Sequence, residues 1–418
     1  MTDPASLDTD ICAREPIHAS GAIQPHGWLI SCVLPDWTVR HASANIAALL
    51  DVDADVLVGR SLREHLDDDL LDSIAEVVGF SDSGAAPQRA TIANIGPMAQ
   101  LCDVGVHVQQ GLVHIEIEAQ PNRIRERTPT VVAQTMISRL ASARDDDDFH
   151  QRIAAQVRLL TGYDRVMVYR FRHDDAGDVI AEARADDMEP YLGLRYPAGD
   201  IPSQARALYL RNRLRVIPDA LYQPVPIVPA TTATGVPLDL SQHALRSVSP
   251  VHLEYMRNMG VAASMSISIV SAGQLWGLVA CHHRTPRAVP PGIRAAADLF
   301  GMFVSMRVSA REQEAAKRAE ADAGAALVAL AQRMDDAGGS LGVILQAFDL
   351  LQRAVPCDGA ATWVDGHWAD AGRTPGPADA TRVIAWVERQ DHTAMVATHR
   401  HGDWSDGAPD DGLAGVLA

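Results

Sequence analysis

The stretch Tyr196-Pro197-Ala198-Gly199-Asp200-Ile201-Pro202-Ser203-Gln204-Ala205-Arg206 constrains this chain more than any other. Its two prolines fix φ on either side of a Gly-Asp pair, which predicts a rigid turn whose polar groups are presented rather than consumed by a sheet ladder. Pro202 suits the first turn of a helix, and Ala205, Leu208 and Tyr209 fall at helical spacing on one face. Asp200 is thereby held at a helix entrance, where the commonest role of an aspartate is a cap. Its neighbours decide whether it does more.

The 418 residues, 47% of them hydrophobic, supply material for two or three cored domains of roughly 100–200 residues each. No run approaches the ~20 apolar residues that span a bilayer. The start Met1-Thr2-Asp3-Pro4 has neither a basic nor an apolar leader region, so export is not indicated. Lys and Arg total 36 against 53 Asp and Glu, a formal charge of −17 that opposes nonspecific binding to nucleic acid or anionic lipid. Cysteines at 12, 32, 102, 281 and 357 form no Cys-x-x-Cys pair. Neither a disulfide framework nor a zinc ribbon is suggested, and a reduced, cytoplasmic protein is expected.

Residues 8–27 hold Pro16, Gly21, Pro25 and Gly27 and read as an extended segment. Cys12 stands there with Arg14 and His18 nearby; an ordinary tail thiol is one reading, and a Cys-His nucleophile is another that lacks any marked oxyanion site. Trp28 to Val33 and Thr38 to His41 suggest strands, Ala44 to Leu50 a helical turn, and Leu101 to Val108 with Leu112 to Ile117 a hairpin turning near Gln110-Gly111. A polar linker from Pro121 to Pro129 carries Arg123, Arg125 and Arg127. Helical periodicity follows over 130–143 and 148–160, split by Asp145 to Asp148, which reads as a solvated helix start and not as a metal site.

Strand period places Met167, Tyr169 and Phe171 on one face, a sheet core by default and, with Tyr191 and Tyr196, an aromatic wall for a flat ligand. Ser264, Ser266 and Ser268 alternate with Met265, Ile267 and Ile269, so the hydroxyls share a face that is either solvated or ligand-facing. The next strand puts Trp276, Leu278, Ala280 and His282 on one side and Cys281 and His283 on the other, a poor metal tripod. Tyr222 to Leu240, rich in proline and threonine, reads as a long loop. Pro291 to about Met334 is helical, with charges dense beyond Arg311. Leu341 to Ala354 reads as helix, Ala360 to Val364 and Thr393 to Thr398 as strands, and the last residues as a further strand.

Four separated stretches resemble bacterial phytochromes. They are Asp10-Ile11-Cys12-Ala13-Arg14-Glu15-Pro16-Ile17-His18 with Ile23-Gln24-Pro25-His26-Gly27; the 196–206 turn, with Gly199 where serine is usual; Ser249 to Gly260; and Trp276 to His283. The resemblance implies an α+β chain in which a PAS domain and a GAF domain are linked by a figure-of-eight knot, then a long connecting helix and a partial, GAF-like PHY domain. The expected boundaries are an N-terminal segment at 1–27, PAS at 28–120, GAF at 121–307, the connecting helix at 308–334 and PHY at 335–418.

The same resemblance implies biliverdin IXα, a linear tetrapyrrole, joined by a thioether to Cys12. Val251 stands where phytochromes that use reduced bilins carry a cysteine. Arg215, Arg246, Ser264 and Ser266 would contact the propionates, while Asp200 and His252 would lie beside the pyrrole nitrogens. His282 would reach the ring D carbonyl. Tyr169, Tyr191, Tyr196, Tyr209 and Tyr255 would surround that ring or its neighbours, and Met167, Ile201 and Ser249 complete the expected contacts. The implied function is red/far-red light sensing by Z/E photoisomerisation, not enzymatic turnover. A homodimer through the GAF and connecting helices is expected, with the tongue hairpin and an output domain or response regulator outside this chain. Neither nucleic acid, membrane nor metal is expected as a partner. Alternatives are a GAF-type sensor of haem or a cyclic nucleotide, and an enzyme whose catalytic domain follows residue 418.

Overall fold

The computed structural model describes residues 15–83, 87–120, 128–232, 234–338, 341–364, 366–390, 395–398, 402–405 and 416–417. Cys12 and the linker arginines lie outside these residues. The chain divides into two compact units, Met1–Ser309 and Ala310–Ala418.

The first unit opens with β1 (Ala22–Ile23), β2 (Gly27–Val33), β3 (Thr38–Ser43), helix α1 (Asp68–Gly79), β4 (Gln88–Ile95), β5 (Gln100–Gln109) and β6 (Leu112–Ala119). Gln110 and Gly111, at φ 52° and 76°, make the two-residue turn between β5 and β6, where positive φ matches the twist of the strands. Leu70, Leu71 and Ile74 of α1 close the core over Val104, Val106, Ile115 and Ile117. The hairpin was legible in the sequence; α1 and the edge strand β4 were not.

A second sheet follows. Helices α2 (Pro129–Leu140) and α3 (Asp146–Thr161) precede β7 (Arg165–Phe171), β8 (Gly177–Arg184) and β9 (Arg195–Tyr196). Then come α4 (Ser203–Arg211), β10 (Leu214–Ile217), β11 (Val225–Val228), α5 (Pro250–Asn258), β12 (Ala263–Ser271), β13 (Gln274–His283) and α6 (Pro291–Asp336). The acidic run is a helix start: Asp145 Oδ1 accepts the Asp148 N–H at 2.8 Å. The sheet order is β10-β12-β13-β7-β8-β9. Phe149 and Ile153 of α3, Met136 of α2 and Phe300 and Val304 of α6 pack on Met265, Ile267 and Ile269. Gly301 lets α6 come this close, since a Cβ there would stand 2.4 Å from Ile267 Cγ2. One face of the sheet is thus covered by helices, and the serine face of β12 is left for α4 and α5.

Two expectations need correction. Tyr222 to Leu240 is not simply a loop: β11 lies within it and joins the first sheet, whose order is β1-β11-β3-β2-β6-β5-β4. Its neighbours are the short β1 and the end of β3, so a segment with Pro226 at its centre is tolerated beside a partner of two residues. Trp276 does not share a face with Leu278, Ala280 and His282. The β12–β13 register shifts, pairing Ile269 with Gly277 and Val270 with Leu275, and this bulge turns Leu275 to the α4 side while Trp276 packs on the helix-covered core.

Residues 17–24 are held on both sides. β1 pairs with β11, the Ser247 N–H donates to Ala22 O at 2.9 Å, and the Leu240 N–H donates to His18 O at 2.7 Å. Ile23, Leu29, Ile227, Leu238, Leu240 and Leu245 form a small apolar core there.

The second unit contains the last part of α6, α7 (Phe348–Ala354), the hairpin β14 (Gly359–Val364) and β15 (His367–Gly372), α8 (Pro377–Arg389), and β16 (Ala397–Thr398) paired with β17 (Val416–Leu417). The helix expected over 341–354 is split: Leu341–Gln346 is a 3₁₀ turn, and Ala347 at φ −91° and ψ 34° separates it from α7. Val383, Trp386 and Trp404 form a buried cluster. Among the described residues no helix is long and apolar enough to cross a membrane.

Candidate functional site

Over the serine face of the second sheet, α4 and α5 meet Glu15 and Ile17 of the N-terminal segment around a cavity of about 270 Å³. Asp200 and Ile201 enter it from the Pro-flanked turn, Tyr209 from α4, and His252 and Tyr255 from α5. Arg215, Arg246 and Ser249 line it as well.

Arg215 stands on β10 opposite Ser266, only 9% exposed, and Arg246 is 8% exposed. Arg215 Nη1 donates to Ala244 O at 3.0 Å and Nη2 to Arg246 O. Arg246 Nη1 donates to Ile17 O at 3.1 Å, while its Nε is buried without a partner. Among the described residues neither guanidinium forms an ion pair, although two adjacent buried cations cost several kcal/mol each unless an anion answers them. Burial, and then Arg215, pull Arg246 down to about 9. The pair suits a ligand carboxylate in both charge and donor geometry. Neither is the surface charge that an isolated arginine would usually be.

Asp200 does not cap α4. The residue at the cap position is Pro202, with no side-chain cap bond, and Asp200 Oδ2 instead accepts from Tyr255 Oη at 3.1 Å. His252 is half-buried, and burial followed by Arg215 holds it at about 4. His282 lies on β13 opposite Ser264. Burial, then Arg165 and His252, lower it to about 4, and its Nδ1 is buried without a partner. Ser266 is buried and Ser264 half-buried, so the serine face is not a solvated one. Ser249 Oγ donates to Glu15 Oε2 at 2.6 Å.

Met167, Tyr169 and Phe171 share one cluster, as the strand period predicts, and Tyr191, Tyr196, Ile201, Tyr209 and Leu278 join them. Burial, then Asp200, raises the Tyr169 phenol above its ordinary value. Tyr169 has room for its ring because residue 177 is glycine; a Cβ there would lie 1.8 Å from the ring's Cζ.

Sequence reasoning missed the support of this wall. Arg165 Nε lies 3.1 Å from Glu182 Oε1, both side chains 3% exposed, a charge contact whose alignment falls short of a hydrogen bond. The Arg165 guanidinium carbon sits 3.4 Å from the Tyr191 ring centroid. Glu182 Oε2 accepts the backbone N–H groups of Tyr191 and Leu192 at 3.0 and 3.2 Å. The available signal was Arg165 alternating with Met167, Tyr169 and Phe171 on β7; Glu182 alternates with Asp178 and Arg184 on β8 and carried none.

Three family matches cover most of the chain: PAS fold at residues 12–120, GAF domain at 145–308 and Phytochrome region at 324–418. A bacteriophytochrome of Pseudomonas aeruginosa is 38% identical over 422 residues, covering 100% of this chain and 57% of that protein. Cyanobacterial phytochrome B of a Nostoc species is 35% identical over 404 residues, 95% of this chain and 53% of that protein. The chain spans about half the length of the curated relatives it matches. The photosensory core module of a Stigmatella aurantiaca phytochrome superposes with a TM-score of 0.79 at 36% identity, over 94% of this chain and 78% of that one. The chromophore binding domain of a phytochrome from the same organism gives 0.64 at 40% identity, over 71% and 98%. With its PAS, GAF and PHY regions in this order, the chain belongs to the bacterial phytochromes, as a photosensory module.

Proposed function

We propose that this chain senses red and far-red light by holding biliverdin IXα in the α4–α5 cavity, with Cys12 as the covalent attachment point. The observation that carries the reading is the pair of buried guanidiniums, Arg215 and Arg246, which donate to backbone carbonyls and form no ion pair among the described residues. A ligand with two carboxylates answers both. When bound, biliverdin supplies the visible absorption and the photoisomerisable double bond between its C and D rings.

The chain's own groups supply the rest. Arg215 and Arg246, with Ser264 and Ser266 on the neighbouring strand, hold the propionates. Asp200 and His252 offer polar partners to the pyrrole nitrogens, and Tyr255 keeps the aspartate oriented through its 3.1 Å bond. His282, with Nδ1 unpartnered, serves the ring D carbonyl, and Met167, Tyr169, Tyr191, Tyr196, Ile201 and Tyr209 exclude water from that end. Ser249 ties Glu15, and so the segment leading back to Cys12, to the start of α5. The two-sided pairing of residues 17–24 supports the figure-of-eight crossing of the N-terminal segment and the 222–247 region.

Dimerisation through α6 belongs to the same reading: Leu299, Met302 and Met306 are exposed at spacings that share a helix face. The domain division proposed is 1–27, 28–120, 121–307, 308–334 and 335–418. The module turns over no substrate and acts on an output domain or response regulator elsewhere, in the cytoplasm. The test is assembly with biliverdin followed by a denaturing gel. The parent chain should show zinc-enhanced bilin fluorescence, and Cys12→Ser should lose it while keeping noncovalent pigment. Covalent pigment in Cys12→Ser would overturn the attachment, and no pigment in either would overturn the reading.

A further inference from the structure

A second polar cluster lies away from the pocket, where the first sheet meets the segment after β11. His107 on β5 and His114 on β6 are direct cross-strand partners. His243 reaches them from that later segment, and the three ring centroids are 4.8, 4.5 and 4.6 Å apart. One ring nitrogen from each lies within 4.8 Å of the other two. The rings are 1%, 1% and 0% exposed.

Both ring nitrogens of His107 and both of His243 are buried without a hydrogen-bond partner. An unsatisfied buried polar atom costs about 1–3 kcal/mol, so four of them in one place call for an occupant. His114 differs: its Nδ1 stands 2.8 Å from Ser31 Oγ. With the proton on Nδ1 donated to that hydroxyl, Nε2 keeps a free lone pair, which is how a ligating imidazole is usually oriented by its second nitrogen. The other neighbour of Nε2, Gln109 O, is 3.4 Å away.

The cluster is also built at its base. Glu116, two residues along β6 from His114, accepts the Ala244 and Leu245 N–H groups at 3.1 and 2.7 Å. The His243 N–H donates to Leu240 O at 3.0 Å. His243 is thereby fixed against the sheet by its immediate neighbours.

We propose that His107, His114 and His243 bind a divalent transition-metal ion of the zinc class, with water as the fourth ligand. Three imidazoles and an open position are a recurrent zinc donor set. Tetrahedral binding at 2.0–2.1 Å brings the nitrogens to about 3.3 Å from one another, so the rings close inward by ring rotation from their present separation. The ion would clamp the first sheet to the 240–247 segment, which also carries Arg246.

The test uses the full chain, stripped with a chelator, exposed to Zn²⁺ and desalted before metal analysis. The parent should retain about one zinc per chain and unfold at a higher temperature with zinc than without. His243→Gln and His107→Phe should each lose the retained ion and the thermal shift. Should the variants fail to fold, X-ray absorption of the zinc-loaded parent decides: three imidazole nitrogens at about 2.0–2.1 Å are expected. No retained zinc in the parent, equal retention in the folded variants, or a sulfur-containing shell would overturn the proposal. A buried water shared by the three rings would then be the occupant.

Discussion

Glu182→Ala tests the support of the aromatic wall. The substitution removes the carboxylate facing Arg165 at 3.1 Å, with both side chains 3% exposed. It leaves the guanidinium buried with the Glu189 carbonyl and the Tyr191 ring as its neighbours. Breaking a buried ion pair from one side costs about 3–5 kcal/mol. The two backbone bonds from Tyr191 and Leu192 add less, because these loop groups are half-buried or exposed and water replaces the carboxylate. The reverse change, Arg165→Met, is cheaper, since Glu182 keeps both N–H donors and Arg184 at 3.8 Å. The double variant should therefore be close to Arg165→Met alone, with a coupling energy of about 2 kcal/mol or more. Urea unfolding at constant m-value measures this. A loss below about 1 kcal/mol for Glu182→Ala, or additive single effects, would refute the placement of a desolvated ion pair behind Tyr191.

Gly177→Ala should drive the Tyr169 ring off the wall, at a cost of about 1–3 kcal/mol, and alter the spectrum of bound biliverdin; unchanged stability and spectrum would show that the ring has other room. Tyr255→Phe should cost about 1 kcal/mol and leave Asp200 without its 3.1 Å donor, seen as a changed pH dependence of the biliverdin-loaded spectrum. Acid should destabilise the fold early. Burial lowers His26, His107, His114, His252 and His282 to about 3–4, so the unfolded chain binds more protons below pH 6.5 and stability falls with pH. In the chelator-stripped chain at pH 5, the buried His107 and His114 each contribute a loss of about 2 kcal/mol. Glu116, raised to about 7 by burial, works in the opposite sense as a single group. Urea midpoints independent of pH between 7 and 5 would contradict this balance.

Local rules made part of the molecule legible. Strict alternation in β12 fixed which side chains enter the core, Gln110-Gly111 marked a hairpin, and Asp145 marked a helix start. The rest depended on pairings that no short window contains. β11 is a strand because β1 and β3 offer it partners, although its own residues include proline. Trp276 changes face because a bulge adds a residue that alternation does not count. His107, His114 and His243 carry no motif, since they meet only when the segment after β11 folds back on β5 and β6. Asp200, Arg215, Arg246, His252 and His282 came from family resemblance; as isolated residues they had ordinary explanations, and only burial without an ion pair among the described residues distinguishes the two arginines.

A photoisomerisable bilin in the α4–α5 cavity, anchored through its carboxylates by Arg215 and Arg246, would make the chain's colour respond to light. The most direct measurement is the absorbance difference of the biliverdin-loaded chain after alternating red and far-red illumination, taken on the parent and on Arg215→Ala and Arg246→Ala. The parent should give a reversible difference spectrum, and each arginine variant should bind biliverdin more weakly. A parent that stays colourless after desalting, or whose spectrum does not respond to light, would contradict the account, as would arginine variants that bind as tightly as the parent.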